Sequence, residues 1–152
     1  MTRDRWDVVG IGENSVDVIY RLPGPPHVNG KMPILGVRTL PGGQVATTLC
    51  TCAALGLRTA YAGTFGNDAN AEAIRSALRS RSVDTTHAPI RTVPNRHAII
   101  LLDDTSGERC VLWQRDPALR LATSELPRAL IEQARLVHVD ATDEESAVAA
   151  AR

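Results

Sequence analysis

Aromatic side chains are scarce in this chain. Phe, Trp and Tyr make up 3% of its 152 residues, so a core must be packed from Ala, Val, Leu and Ile. Lysine is nearly absent, with Lys31 the single one among seventeen basic residues. Net charge is absent too. The seventeen basic residues are cancelled by seventeen acidic ones, which removes the electrostatic case for nucleic acid or an anionic membrane as the main partner. No apolar run reaches the length of about 18 residues that a transmembrane helix needs. The opening MTRDRWDVVGIG mixes acids with bases and lacks the apolar stretch of a signal peptide. Three cysteines, Cys50, Cys52 and Cys110, are too few for a disulfide framework, and a cytoplasmic, reducing location is expected. Cys50 and Cys52 lie two apart in a helical pattern and face different directions, so they are not a metal pair. His27, His87, His97 and His138 form no HExxH or Cys/His constellation, and no metal site is expected. Gly10-Ile11-Gly12 lacks the third glycine of a dinucleotide fingerprint, because position 15 is Ser15 and no helix follows.

What is present is a soluble globular composition, 43% hydrophobic and 22% charged, in one domain's length. Residues 7–12 read as a buried strand closed by glycine. Residues 16–20 alternate, with Val16, Val18 and Tyr20 on one face and Asp17 and Ile19 on the other. Residues 22–33 are full of Pro and Gly and read as a loop, and 34–40 as a strand returning from it. A deeply buried helix is expected over 44–55, closed by Gly56, then a strand over 59–65. Asn67 or Asp68 caps a helix over 69–80. Residues 96–102 and 109–113 form a hairpin across Asp104-Thr105-Ser106-Gly107-Glu108. Ser124 caps a helix to about 134 with Pro127 in its first turn, 136–140 is a strand, and a helix starts at Thr142 or Asp143.

This order predicts an α/β fold, a parallel sheet covered by helices. The segments at about 16–21, 34–40, 96–103 and 109–114 do not fit that sheet and predict a smaller β-layer. A crossover helix normally leads to another parallel strand, so the chain reads as cut inside a βαβ unit. An unfinished sheet predicts marginal stability.

Four places could carry chemistry. Gly42-Gly43 before a helix is either a tight turn or a floor that lets the backbone approach a ligand, with free N–H groups facing an electron-rich atom. Asp17 is either solvated on an edge strand or a carboxylate accepting from sugar hydroxyls. Trp113-Gln114-Arg115-Asp116-Pro117 is either an exposed ion-paired loop or a stacking ring beside a guanidinium that can meet a negative oxygen. Asp140 ends a parallel strand, where ligand-facing groups gather in α/β sheets.

The stretches GIGENSVD, PGGQVATTLCTCAALGLRTAYAGTFGND, GERCVLWQRDP and LVHVDATD together resemble the N-terminal half of the ribokinase-like (PfkB-type) carbohydrate kinases, over about residues 7–152. The resemblance implies a Rossmann-type parallel sheet flanked by helices, with a small β-sheet lid over a sugar site. It implies transfer of the ATP γ-phosphoryl to a sugar hydroxyl with Mg²⁺. Asp17 matches the family's sugar-binding aspartate, and Gly42 and Gly43 match its glycine pair. Thr47 stands where the family usually has asparagine. The family's catalytic base lies in a Gly-Ala-Gly-Asp segment of the C-terminal half, and none occurs here. The expectation is therefore a partial sugar kinase, inactive alone and not expected to bind ATP or Mg²⁺ tightly. Its substrate-binding residues would be Asp17, Gly42, Gly43, Thr47, Arg115 and Asp140, and its ligand a sugar or sugar acid. The alternative is a non-catalytic sugar-binding or dimerisation module that forms a homodimer through the lid sheet.

Overall fold

In the computed structural model, which describes residues 5–152, two four-stranded sheets share the chain. The first four residues, part of the stretch tested above for a signal peptide, lie outside the described residues. The central sheet has the order β5-β4-β1-β8 and is parallel throughout. It is built from β1 (Trp6–Ile11), β4 (Thr59–Tyr61), β5 (Val83–Asp84) and β8 (Ala134–Val139). The second sheet, the lid, has the order β3-β2-β6-β7. Its strands are β2 (Ser15–Leu22), β3 (Gly36–Gly42), β6 (His97–Asp103) and β7 (Arg109–Gln114). The expected division into two kinds of strand is what the structure shows.

The helices lie on both faces of the central sheet because β1 is apolar on both. On one side Val8 packs with Val45 and Leu49 of α1 (Gln44–Ala54) and with Ile74 and Leu78 of α2 (Ala69–Arg79). On the other side Val9 and Ile11 pack with Leu130 of α3 (Arg128–Glu132) and Ala150 of α4 (Glu144–Ala150). Asp68 caps α2 by accepting from the Ala71 N–H at 2.9 Å. Among the described residues no helix is long and apolar enough to cross a membrane.

Two expectations need correction, and one element was not expected. The strand expected over 59–65 ends at Tyr61. The helix expected from Ser124 to 134 is a 3-10 turn, Thr123–Glu125, followed by the five residues of α3. Pro127 is the reason, since a residue before proline is pushed out of the helical region and Leu126 is extended at φ −60°, ψ 127°. The two-residue strand β5 went unforeseen, being too short to show a period.

The hairpin turn between β6 and β7 is organised by Asp103. Its carboxylate accepts from the Thr105 N–H (2.8 Å), the Thr105 hydroxyl (2.7 Å) and the Ser106 hydroxyl (2.8 Å). The Thr105 and Ser106 hydroxyls hold its pKa down at about 2, below the usual 3.8. A depressed carboxylate stabilises the fold above its unfolded value and loses that contribution as pH falls through its folded value. Thermal unfolding followed by circular dichroism should therefore show a midpoint falling between pH 3.8 and about pH 2. Asp103→Asn should flatten that part of the profile; an unchanged slope would refute the role.

Candidate functional site

The lid overhangs the end of the central sheet where β1 and β8 finish. Ladder register places Leu40, Asp17, Ala98 and Trp113 in one row across the lid, on the face toward that end. Gly42 and Ser15 fall in the next row of the same face. Asp17 is half-buried, and its Oδ1 accepts from the Ser15 hydroxyl at 2.7 Å. A Cβ built on Gly42 would collide with the Asp17 carboxylate, its Cγ standing 2.9 Å away. Asp17 and Gly42 are thus direct neighbours. Gly43 is the N-cap of α1 at φ 96°, ψ 137°, with no side-chain cap.

Below the lid is a basin of about 500 Å³, lined by Glu13, Gln44, Arg96, Trp113, Arg115, Ala141 and Thr142. Trp113 is 65% exposed. The Arg96 guanidinium stands over its ring, 5.6 Å from the centroid, and its Nε donates to Glu13 Oε1 at 2.9 Å. Burial is the main cause raising the Glu13 pKa above 4.5, opposed by Arg96. The Glu13 backbone carbonyl accepts from the Ala46 N–H at 3.2 Å. The start of α1 is therefore partly capped by Glu13, where the sequence suggested open N–H groups.

Arg115 lines the basin and Asp140 stands next in sequence to the lining residue Ala141, but both already have partners. The Arg115 Nη2 donates to both oxygens of Asp143 (2.9 and 2.8 Å) and to the Leu119 carbonyl (2.9 Å). The negative oxygen foreseen for Arg115 is, in this chain, that of Asp143. Asp140 accepts from the backbone N–H groups of Glu13 and Thr142, both at 2.9 Å, and so braces the bend after β1. Thr47 lies elsewhere. It lines a separate cavity of about 170 Å³ between α1 and α2, with Pro41, Gly42, Cys50 and Arg81.

The structure thus joins Asp17 to the glycine pair, sets Trp113 and Arg115 around the adjoining basin with Asp140 behind its wall on the Glu13 and Thr142 N–H groups, and leaves Thr47 on another cavity. Sequence reasoning missed Glu13, Asn14, Asn95 and Arg96. Asn14 and Asn95 form a buried network. Asn95 Nδ2 donates to Asn14 Oδ1 (2.9 Å), Asn14 Nδ2 donates to the Tyr61 hydroxyl and the Thr64 carbonyl (both 2.6 Å), and Asn95 Oδ1 accepts from the Gly66 N–H (3.0 Å). Burial pushes the Tyr61 hydroxyl pKa up, so it stays protonated and donates to the Gly12 carbonyl at 2.7 Å. Glu13 and Asn14 stand inside the GIGENSVD stretch without having been singled out, and Asn95 and Arg96 belong to no motif. The one available signal was polarity beside glycine and proline at strand entries.

A helix-flanked parallel sheet with a β-lid, closing over a carboxylate and a glycine pair, defines a ribokinase-like protein. The chain belongs to the pfkB family of carbohydrate kinases, whose model matches residues 6–152. It is 26% identical over 143 residues to a nucleoside kinase of Methanothermobacter thermautotrophicus, covering 94% of this chain and 46% of that one. Among solved structures, a microbiome-derived acarbose kinase matches with TM-score 0.76 and 28% identity, over 97% of this chain and 51% of that one. The ribokinase of Arabidopsis thaliana, solved with ribose and ATP, shares the fold with TM-score 0.73 at 18% identity, over 96% of this chain and 50% of that one. The chain spans about half the length of the relatives it matches.

Proposed function

We propose that this chain is the sugar-binding half of a cytoplasmic, ATP-dependent kinase acting on a sugar or sugar acid, with residues 1–152 forming the N-terminal part of a single carbohydrate kinase domain. The observation that carries this is the contact between Asp17 and Gly42 under the lid. An ionised carboxylate is an acceptor only, so it selects hydroxyl donors. A floor without side chains lets a ring approach the backbone. In this reading Asp17 accepts from substrate hydroxyls over Gly42 and Gly43, and the exposed Trp113 ring offers a C–H face a stacking partner. Arg115 and Asp140 hold the basin's border through Asp143 and Glu13, and Thr47 backs the floor from the far side.

Phosphoryl transfer also needs a base, a bound nucleotide and charge stabilisation. Among the described residues no three of His, Cys, Asp and Glu converge on a point where a metal ion could sit. The catalytic base and most of the ATP site are assigned to groups these 152 residues do not contain, in keeping with relatives about twice as long. Titration calorimetry of the chain against ring sugars and sugar acids should show saturable binding, and ATP with the same panel should yield no phosphorylated sugar. Failure of every sugar to bind would overturn the reading of the site, and turnover would overturn the division of labour.

A second reading is favoured by the lid's outer face, where Val37 and Leu112 are 54% and 53% exposed on the side opposite Asp17. In it the lid pairs with a second copy to form a homodimer. Light scattering should then give twice the chain mass, and a strict monomer at all concentrations would exclude it.

A further inference from the structure

Two segments carry the chain from the core into the lid at the parallel pair β2 and β6, and they are fastened to each other at two levels. The inner fastening is the buried Asn14–Asn95 pair, whose remaining polar atoms go to Tyr61, Thr64 and Gly66. The outer fastening, one residue along each segment, is Glu13–Arg96. Its side chains are 14% and 16% exposed, and it forms part of the basin wall. The two levels differ in what they touch. The inner one ends in the core. The outer one runs from the Ala46 N–H at the start of α1, which donates to the Glu13 backbone carbonyl, through the Glu13 side chain and the Arg96 guanidinium to the Trp113 ring on the lid.

We infer that Arg96 is a positioning residue of the sugar cradle: anchored to the core by Glu13, it holds the Trp113 ring at a set tilt above the glycine floor and thereby favours substrates with a flat C–H ring face over open-chain polyols. This rests on the basin being the sugar site. The separation of Asp17 from Trp113 is fixed by the sheet, since the two share a cross-strand row with only Ala98 between them, about 10 Å at two strand spacings. The tilt of the ring is not fixed by the sheet, because the indole turns about two side-chain torsions. A guanidinium removes that freedom. Its Nε donates to Glu13 while its central carbon stands over the ring, 5.6 Å from the centroid. A lysine could supply the charge but not both geometries. A ring held in this way stacks on a substrate without paying the ordering entropy at the moment of binding.

The test needs Trp113 as the single indole, so Trp6→Phe is the background. Time-resolved anisotropy of the ligand-free chain reads the motion of the ring. Arg96→Gln and Glu13→Gln should each enlarge the fast local component about twofold or more, with Arg96→Lys between them and the wild type. Circular dichroism identifies any variant that fails to fold, and the remaining variants then decide. Unchanged ring motion in every folded variant overturns the inference. A second arm measures affinities for D-fructose and D-ribose against D-sorbitol and D-ribitol. In Arg96→Gln the preference for the rings should shrink by about threefold to tenfold. An equal loss for all four would mark a merely structural residue and also overturns the inference. If none of the four binds the unsubstituted chain, the sugar reading fails, and the anisotropy arm still decides whether Arg96 holds the ring.

Discussion

Gly43→Ala destabilises the chain by about 3 kcal/mol or more, the sum of a strained backbone and a backbone collision. Gly43 has φ 96°, a conformation that L side chains rarely adopt. A Cβ there would stand 2.5 Å from the Asn14 Cα and 2.6 Å from the Glu13 carbonyl oxygen. Both are main-chain atoms and cannot rotate away. The bend they belong to is held by Asp140 on the Glu13 N–H and by Asn95 on the Asn14 side chain, so relief at Gly43 would break a buried network. Gly42→Ala is the natural control. Its φ is not positive, and the added methyl meets the Asp17 carboxylate, a side-chain end that can swing. Gly42→Ala should keep its stability within about 1 kcal/mol while displacing Asp17 and weakening sugar binding. Urea denaturation separates the two cases. A Gly43→Ala chain as stable as the wild type would show that the floor is not a backbone surface in contact with the β1–β2 bend.

Asp17→Asn should lower sugar affinity about 100-fold while leaving the fold intact. Hydrogen bonds to a charged acceptor contribute roughly 1.5–3 kcal/mol each, so a carboxylate serving two hydroxyls accounts for about 3 kcal/mol, or two decades. The amide is nearly the same size, but one oxygen acceptor becomes a donor facing other donors. Little of the fold depends on the charge, because the hydrogen-bond partner of Asp17 is the neighbouring Ser15 hydroxyl. The denaturation midpoint should hardly move. Titration calorimetry on the chain measures the first effect, and phosphorylation by a kinase containing this chain measures the consequence. Affinity within a few-fold of wild type would remove Asp17 from the site and with it the reason for calling the basin a sugar cradle.

The pairing of Gly43→Ala with Asp17→Asn separates two kinds of loss. One removes the surface on which a ligand rests, and the other removes what recognises it. A chain that fails the first test but binds sugar through Asp17 would place the floor elsewhere. Tolerance of Asp17→Asn together with collapse of Gly43→Ala would support the packing at the β1–β2 bend and overturn the proposed function.

The apolar run of β1, the alternation in β2 and the hairpin of β6 and β7 were legible before any coordinates, because each is a local pattern repeated over five or more residues. The cap of α2 was legible as Asn67 or Asp68 because a cap and its partner lie three residues apart, and the structure selects Asp68. Asp17 and the glycine pair stood out as residue types, and the family pattern placed them in one site. The helix around Pro127 and the short strand β5 were not legible, since a proline shifts boundaries by one turn and two residues carry no period.

Composition and spacing by themselves determined the α/β class, the existence of two kinds of sheet and the candidates Asp17, Gly42 and Gly43, because these depend on near neighbours along the chain. Tertiary structure alone decided that Thr47 turns to another cavity, that Arg115 is held by Asp143, and that Glu13 and Arg96 meet across 83 residues beside Trp113. Such contacts join segments distant in sequence, and a single side chain at each end leaves no periodic trace; only the folded geometry, which brings the β1–β2 bend beside the entry to β6, makes them neighbours.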